Sequence, residues 1–148
     1  MENPVTWLLV CNASKARLYA MHKVRVFREP NAKNLHLVNE FAHEESRMKN
    51  VELKSDRDGE FGSGTFVEAT SAKQHEAEQF ALELIHTLEA GRKDGHYRDL
   101  IIIAPPAFMG LLNKHMHNEM NKLVNKKIEK DYTQKNPNDL MENLVNHL

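Results

Sequence analysis

Residues 53–64, LKSDRDGEFGSG, combine acidic and basic side chains with three glycines, a composition that suits the binding of an anion. Glycines can leave backbone N–H groups accessible, and an arginine adds the positive charge that a phosphate would attract. The spacing matches neither a nucleotide-binding phosphate loop nor the EF-hand loop for calcium. We therefore predict a contact loop, with an ordinary solvated loop as the alternative. Its candidate binding residues are Ser55, Asp56, Arg57 and Gly59.

Nine histidines and one cysteine raise the question of a metal site. His115 and His117 are two residues apart, so on a helix they would point in nearly opposite directions. His75 lacks the second histidine, four residues on, of the zinc-protease motif. Cys11 lies in an apolar run, which is typical of a buried and inert thiol. The sequence predicts no metal and no cofactor, and His75 stays a binding candidate because it follows the loop.

A local excess of lysine between residues 113 and 135 could attract the phosphates of an RNA backbone. The alternative is the solvated surface of a helix and a strand. Only Tyr132 adds an aromatic ring there, so base stacking has little support. The candidate RNA contacts are Lys114, Lys122, Lys126 and Lys127.

The elements that must position these residues follow from the hydrophobic pattern. Residues 5–11, 16–22 and 35–41 are apolar or alternating, which predicts three strands, and residues 24–27 would extend the second strand or form an edge piece. Residues 71–89 have helical periodicity, with Ser71 and Gln74 as a capping box and Gly91 as the stop. Residues 100–104 form an all-apolar central strand, and Pro105 with Pro106 ends it and opens a helix. Residues 124–132 predict a last strand and residues 137–147 a last helix.

This order predicts an α/β fold with one mixed sheet of about five strands. The three sequential strands form an antiparallel meander, parallel strands follow, and helices cover the sheet. We expect one domain over residues 1–148, because no repeat or second domain is visible. Residues 44–70 show no sustained periodicity, and we predict a mobile loop there.

Composition narrows the classes of function. The 148 residues carry a net charge of −1, so attraction to nucleic acid or anionic lipid would have to come from a local patch. The single cysteine excludes a disulfide framework and favours a reducing compartment. The first residues lack an export signal, and no apolar run is long enough for a membrane span. We expect a soluble, cytoplasmic protein without a membrane partner; the sequence leaves the oligomeric state open.

Five segments resemble the bacterial host attachment protein family in their order along nearly the whole chain. They are TWLLVCNASKARLY, LKSDRDGEF, QHEAEQFALEL, LIIIAPPAFMGLL and KKIEKDYT. The resemblance implies a fold similar to the middle domain of class-one translation release factors, and through it to ribonuclease H. It also implies roles for Asn12, Ser14 and Arg17 in the first hairpin. The family's Ser-Asp-Arg-Pro-Gly loop is present here except that Asp58 replaces the proline.

The residues themselves argue against the reactions of those two folds. Ribonuclease-H chemistry needs clustered carboxylates, with one on the first strand, but no acidic residue lies between Glu2 and Glu29. Release factors use a Gly-Gly-Gln tip, and the chain has no Gly-Gly pair. The sequence therefore favours a non-catalytic binding module that contacts ribosome, RNA or a protein partner through residues 44–70. The alternative is a metal-dependent phosphoester hydrolase that would use Asp56, Asp58 and His75, with Arg57 holding the phosphate.

Overall fold

A computed structural model describes residues 5–43 and 62–147. The strands are β1 Thr6–Cys11, β2 Lys15–Met21, β3 His36–Ala42, β4 Asp99–Ile103 and β5 Val124–Ile128. The helices are α1 Lys23–Arg28, α2 Gly62–Lys93, α3 Pro106–His115, α4 Asn118–Asn121 and α5 Pro137–Val145, with a 3₁₀ turn at Ala32–Asn34.

The strands of this part of the chain form one mixed sheet in the order β3-β2-β1-β4-β5. β1 pairs antiparallel with β2, and β2 pairs antiparallel with β3. β4 runs parallel to β1 and to β5. The predicted α/β fold, a meander followed by parallel strands under helices, is confirmed. The likeness to ribonuclease H and to release factors stays a prediction.

Two apolar cores lie on the two faces of the sheet, which explains why its central strands carry few polar residues. On one face, Leu9 and Ile102 pack with Phe80 of α2 and Leu112 of α3. On the other face, β1 and β4 pack with side chains of α1 and α5, among them Val26 and Leu140. A strand covered on both faces is apolar throughout, as predicted for residues 100–104.

The prediction of a strand at residues 24–27 was wrong, because this segment forms α1. The alternation of Val24 and Val26 suggested a strand, yet only Val26 is buried in the core. Burial of one side chain against the sheet decides the structure of these six residues, since β-propensity is a weak and context-dependent preference.

The predicted boundaries of the long helix were also wrong. α2 begins at Gly62, so residues 62–70 of the predicted loop are helical, and Ser71 lies inside the helix and does not cap it. The helix continues past Gly91 to Lys93, and the turn that ends it is formed by Gly95 at a φ of +72°. The N–H groups of Gly95 and His96 donate to the carbonyl oxygens of Arg92 and Gly91, over 3.1 and 2.9 Å, which is the Schellman arrangement.

β3 is an edge strand that is solvated on both faces. Its register shifts opposite Leu18 and Tyr19, so that Leu18 faces Asn39 while Tyr19 faces Leu37. The extra residue, Val38, breaks the alternation that the sequence suggested. Leu37 is consequently 51% exposed instead of lying in the core.

The C-terminal elements follow the predicted order with shorter bounds. β5 ends at Ile128, four residues before the predicted end at Tyr132, and α5 ends at Val145. Pro105 and Pro106 stand at the start of α3 as predicted, Pro105 as its N-cap. None of the helices in the described ranges is long and apolar enough to cross a membrane.

Candidate functional site

The carboxyl ends of β1, β4 and β5 meet at one edge of the sheet, where open α/β sheets bind their ligands. The first residue beyond β1 at this edge is Asn12. Its side-chain oxygen accepts hydrogen bonds from the backbone N–H groups of Ser14 and Lys15, over 2.8 and 3.0 Å. An asparagine that bonds to the backbone in this way fixes a tight turn, and it shapes the β1–β2 hairpin.

The same Asn12 side chain joins this hairpin to the segment after β5. Its amide nitrogen donates to Asp131 Oδ2 over 3.2 Å and to Thr133 Oγ1 over 3.1 Å. The Thr133 hydroxyl donates to Asp131 Oδ1 over 2.6 Å, and its backbone N–H donates to the same oxygen over 3.0 Å. The partial burial of Asp131 would raise its pKa, but the hydrogen bonds from Thr133 and Asn12 outweigh it and hold the pKa below its usual range.

Arg17 fixes the rest of the segment after β5. Its Nη2 group faces the carbonyl oxygens of Tyr132, Thr133 and Lys135 at 3.4, 3.1 and 2.8 Å. Its Nη1 group donates to the hydroxyl of Tyr19 over 2.9 Å. All four acceptors are neutral, so these contacts leave the guanidinium charge uncompensated. The burial of Tyr19 raises the pKa of its phenol, although the neighbouring Arg17 opposes this effect.

An open cleft of about 640 Å³ lies between this hairpin, the end of β3 and the segment after β5. Its lining residues are Val10, Lys15, Ala16, Arg17, Glu40, Phe41, Ala42, Thr133, Gln134, Lys135, Asn136 and Pro137. Three of them are cations and one is a carboxylate, so the cleft favours a negatively charged ligand. Lys135 Nζ lies 5.1 Å from the centre of the Tyr132 ring, a distance at which the ring stabilises the cation.

The structure brings together three of the residues predicted for the site. Asn12, Ser14 and Arg17 lie at the β1–β2 hairpin, and Arg17 reaches into the cleft. His75 is exposed on α2, while its neighbour Lys73 lines a separate groove that includes Ala13. The remaining candidates lie outside the described residues, so their role stays a prediction: Ser55, Asp56, Arg57 and Gly59.

Three side-chain contacts attach α2 to the residue after β3 and to α3. His43, directly after β3, lies 2.7 Å from Glu76, measured between Nε2 and Oε2. Glu78 Oε1 lies 3.0 Å from Lys114 Nζ and 2.7 Å from His115 Nε2. The hydrogen bonds from Lys114 and then from His115 lower the pKa of Glu78. Lys114, one of the predicted RNA contacts, therefore has a carboxylate partner.

The other three predicted RNA contacts do not share one face. Lys122 Nζ lies 3.3 Å from Glu119 Oε1, and Lys127 donates to Asn121 over 2.9 Å. Lys126 and Lys127 are adjacent on β5, and adjacent residues of a strand point to opposite faces of the sheet. The basic face predicted for residues 113–135 is thus a set of separated lysines. The lysines of this segment follow neither the 3.6-residue period of a helix face nor the two-residue period of a strand face. Counting charges in the sequence therefore could not show that they are separated in the structure.

Sequence reasoning missed the residues after β5 that complete the cleft, Thr133 and Lys135 above all. The available signal was their position: they follow a strand whose carboxyl end lies at the same edge as that of β1. Within residues 5–43 and 62–147 no group of three or more histidine, cysteine, aspartate or glutamate side chains could hold a metal ion. Asp56 and Asp58, which the hydrolase alternative needs, lie outside that part of the chain.

Comparison with known proteins agrees with the resemblance seen in the sequence. No curated protein matches the chain. A family described as "Protein required for attachment to host cells" (Host_attach) matches residues 7–144. The match includes all residues that shape the cleft, and it includes every strand of the sheet apart from the first residue of β1. The chain belongs to this host attachment protein family.

Proposed function

We propose that the protein is a non-catalytic binding module that contacts RNA, including RNA on the ribosome, through the cleft at the carboxyl edge of its sheet. The observation that carries the proposal is the excess of positive charge in the cleft. Among the described residues, Lys15, Arg17 and Lys135 line it against one carboxylate, that of Glu40. Phosphate groups are the anions that such a surface would hold along a nucleic-acid backbone.

The construction of the cleft supports a binding role. Arg17 and Asn12 hold the segment after β5 through hydrogen bonds to its backbone and side chains, so the cleft exists before a ligand arrives. A preformed site loses less conformational entropy on binding than one that must be ordered first. Phe41 and Gln134 add an aromatic ring and an amide to the lining, which suit contacts to a base.

Residues 44–70 are part of the proposal, because the chain enters them at the same edge. The N–H of His43 donates to the carbonyl oxygen of Ser14 over 2.8 Å, which places the end of β3 beside the hairpin. We propose that Ser55, Asp56 and Arg57 contribute further contacts to the ligand. Membership in the host attachment protein family does not identify a ligand. A protein partner is the competing proposal.

The test is cosedimentation of the purified protein with bacterial ribosomes, and fluorescence anisotropy with a single-stranded oligouridine RNA, over a series of salt concentrations. We expect the affinity to fall as the salt concentration rises. Binding releases cations from the RNA phosphates into solution, and this release is less favourable when more salt is present. The variant Lys15→Glu/Lys135→Glu should bind at least about tenfold more weakly, since it reverses two charges of the cleft. A Ser55/Asp56/Arg57 triple-alanine variant tests the second part of the proposal.

Lys33→Glu is the matched control, because Lys33 is exposed on the 3₁₀ turn and does not line the cleft. Once the effect of its changed net charge has been subtracted, Lys33→Glu should bind RNA with the affinity of the unchanged protein. Absence of binding to ribosomes and RNA at low salt would refute the RNA proposal. Binding that the cleft variant and Lys33→Glu weaken equally would show that the cleft is not the site.

A further inference from the structure

A second surface, which shares no lining residue with the cleft, has the features of a peptide-binding site. It is an open groove of about 480 Å³ between α1 and β5, here called the β5 groove. Its lining residues are Lys23, Val24, Phe27, Arg28, Asn125 and Lys126. None of these residues lines the cleft at the carboxyl edge.

Two apolar side chains are exposed in the β5 groove without an evident structural need. Val24 is 47% exposed and Phe27 is 66% exposed, whereas Val26 on the same helix is fully buried. Val24 and Phe27 are three residues apart, so they lie on one side of α1. Val26 is the residue that buries α1 in the core, whereas Val24 and Phe27 belong to neither of the two apolar cores.

β5 lies at the end of the sheet, beyond β4, and in the described residues no strand pairs with its outer side. An edge strand presents backbone N–H and C=O groups that an extended segment can pair with, and adjacent apolar pockets then select its side chains. Asn125 and Lys126 belong to β5 and also line the groove. The free edge and the apolar surface are therefore continuous.

The charges around the β5 groove select among occupants. The described residues that line it include three cations, Lys23, Arg28 and Lys126, and no carboxylate. Lys23 Nζ lies 2.9 Å from Asp99 Oδ2, so its charge is partly compensated, while Arg28 is exposed on the rim. A second copy of β5 would bring its own Lys126 and Lys127 against these cations, which like-charge repulsion opposes. An acidic segment would neutralise them.

We propose that the β5 groove binds an extended, acidic segment of a partner protein, which adds to the edge of β5 and inserts an apolar side chain between Val24 and Phe27. The partner is identified by this chemistry alone: a large apolar side chain with carboxylates two residues before and two residues after it, because residues two apart in a strand share a face. This site is separate from the cleft and does not depend on the function proposed for it.

The probe is a fluorescein-labelled synthetic peptide in which glutamates lie two residues before and after a phenylalanine, with threonine between them, compared with the same peptide carrying lysine in place of glutamate. We expect the glutamate peptide to bind and the lysine peptide to bind at least about tenfold more weakly. Phe27→Ala and Lys126→Glu should each weaken binding of the glutamate peptide about tenfold, because they remove the apolar anchor and a rim charge. Lys126→Glu should in turn improve binding of the lysine peptide.

Leu82→Ala is the matched control, because Leu82 is an exposed apolar residue of α2 outside the groove. Phe27 and Lys126 lie at the surface, and circular dichroism of each variant confirms that it folds. Equal affinity for both peptides, no binding of either, or equal losses in Phe27→Ala and Leu82→Ala would overturn the proposal. If analytical ultracentrifugation showed a concentration-dependent dimer and Phe27→Ala abolished it, the proposal would be overturned in favour of a second copy of the chain. If oligouridine displaced the peptide, it would be overturned in favour of RNA.

Discussion

The indole ring of Trp7 lies against the backbone of Gly91, so close that a Cβ atom at residue 91 would overlap the ring. Trp7 also stacks on Tyr97, with ring centroids 4.7 Å apart, and the Tyr97 hydroxyl donates to the carbonyl of Leu88 over 2.7 Å. Burial, the largest effect on this phenol, raises the pKa of Tyr97 to about 12. Gly91 is therefore a packing position within α2, where the first strand meets the longest helix.

Gly91→Ala should destabilise the protein, because its new methyl group would displace the Trp7 ring from a packed core. Overpacking of this kind costs about 1–3 kcal/mol in free energy of unfolding. Urea denaturation followed by tryptophan fluorescence measures the change, and Trp7 is the only tryptophan in the sequence. Its emission should shift as well, since the ring itself must move.

Gly110→Ala provides the matched control. Gly110 lies inside α3, and a Cβ atom there would meet no other atom within 4 Å. Alanine favours a helix interior over glycine by about 0.8–1.0 kcal/mol, so this variant should be more stable than the unchanged protein. If both variants changed stability in the same direction, the close contact between Trp7 and Gly91 would not be what matters at residue 91.

Arg17→Lys should lower stability even though it keeps the positive charge. A lysine ammonium cannot reproduce the planar arrangement by which Arg17 contacts three carbonyl oxygens and Tyr19. Leaving partly buried carbonyls without a donor costs about 1–3 kcal/mol. Urea denaturation measures it, and Arg25→Lys at an exposed position of α1 is the control. A loss of similar size in Arg25→Lys would show that geometry at Arg17 is unimportant.

Cys11 should be unreactive in the folded protein. It is fully buried at the end of β1, and this burial, together with the charge of Asp131, raises the pKa of its thiol far above the ordinary value. Because the thiolate is the reactive form, we expect no reaction with Ellman's reagent at pH 8 until the chain unfolds. Rapid labelling under native conditions, at a rate independent of added urea, would contradict the buried position.

Asp131 should make stability depend on pH at the acid side. Its pKa is lower in the folded than in the unfolded chain, so its ionised form stabilises the fold above the unfolded value of about 4, and this contribution is lost as pH falls through the folded pKa. The difference in urea midpoint between the unchanged protein and Asp131→Asn should be largest near pH 7 and shrink toward pH 3. Thr133→Val removes a hydrogen-bond donor and should move this loss to higher pH. A difference that stays constant with pH would exclude the ionised carboxylate as its cause.

The sequence predicted β1 and β4 well because each is apolar along nearly its whole length. Residues 100–104 could form only a strand covered on both faces, and the prolines at 105 and 106 marked the start of α3. The failures arose where tertiary contacts overrule local pattern. Gly91 suggested a helix end, but the helix continues to Lys93, and the glycine instead leaves room for the Trp7 ring.

The site was predicted only in part, since its residues come from both ends of the chain. Asn12 and Arg17 were identified through the family resemblance, and in the structure both form hydrogen bonds to Thr133. Their partners Thr133 and Lys135 could not be assigned, because nothing in a local window shows that the segment after β5 returns to the β1–β2 hairpin. The lysines at 126 and 127 were grouped by proximity in sequence, which ignores that a strand sends neighbours to opposite faces.

The hydrogen bonds of Arg17 and Asn12 to the segment after β5 join residues 115 to 121 positions apart in the chain. The hairpin that carries them is synthesised well before the groups they bind. Contacts this distant form late in folding, since a long loop must close before they contribute. The cleft is therefore absent from any nascent or truncated chain that ends before Lys135, and a protein that binds through it has already brought these two distant segments together.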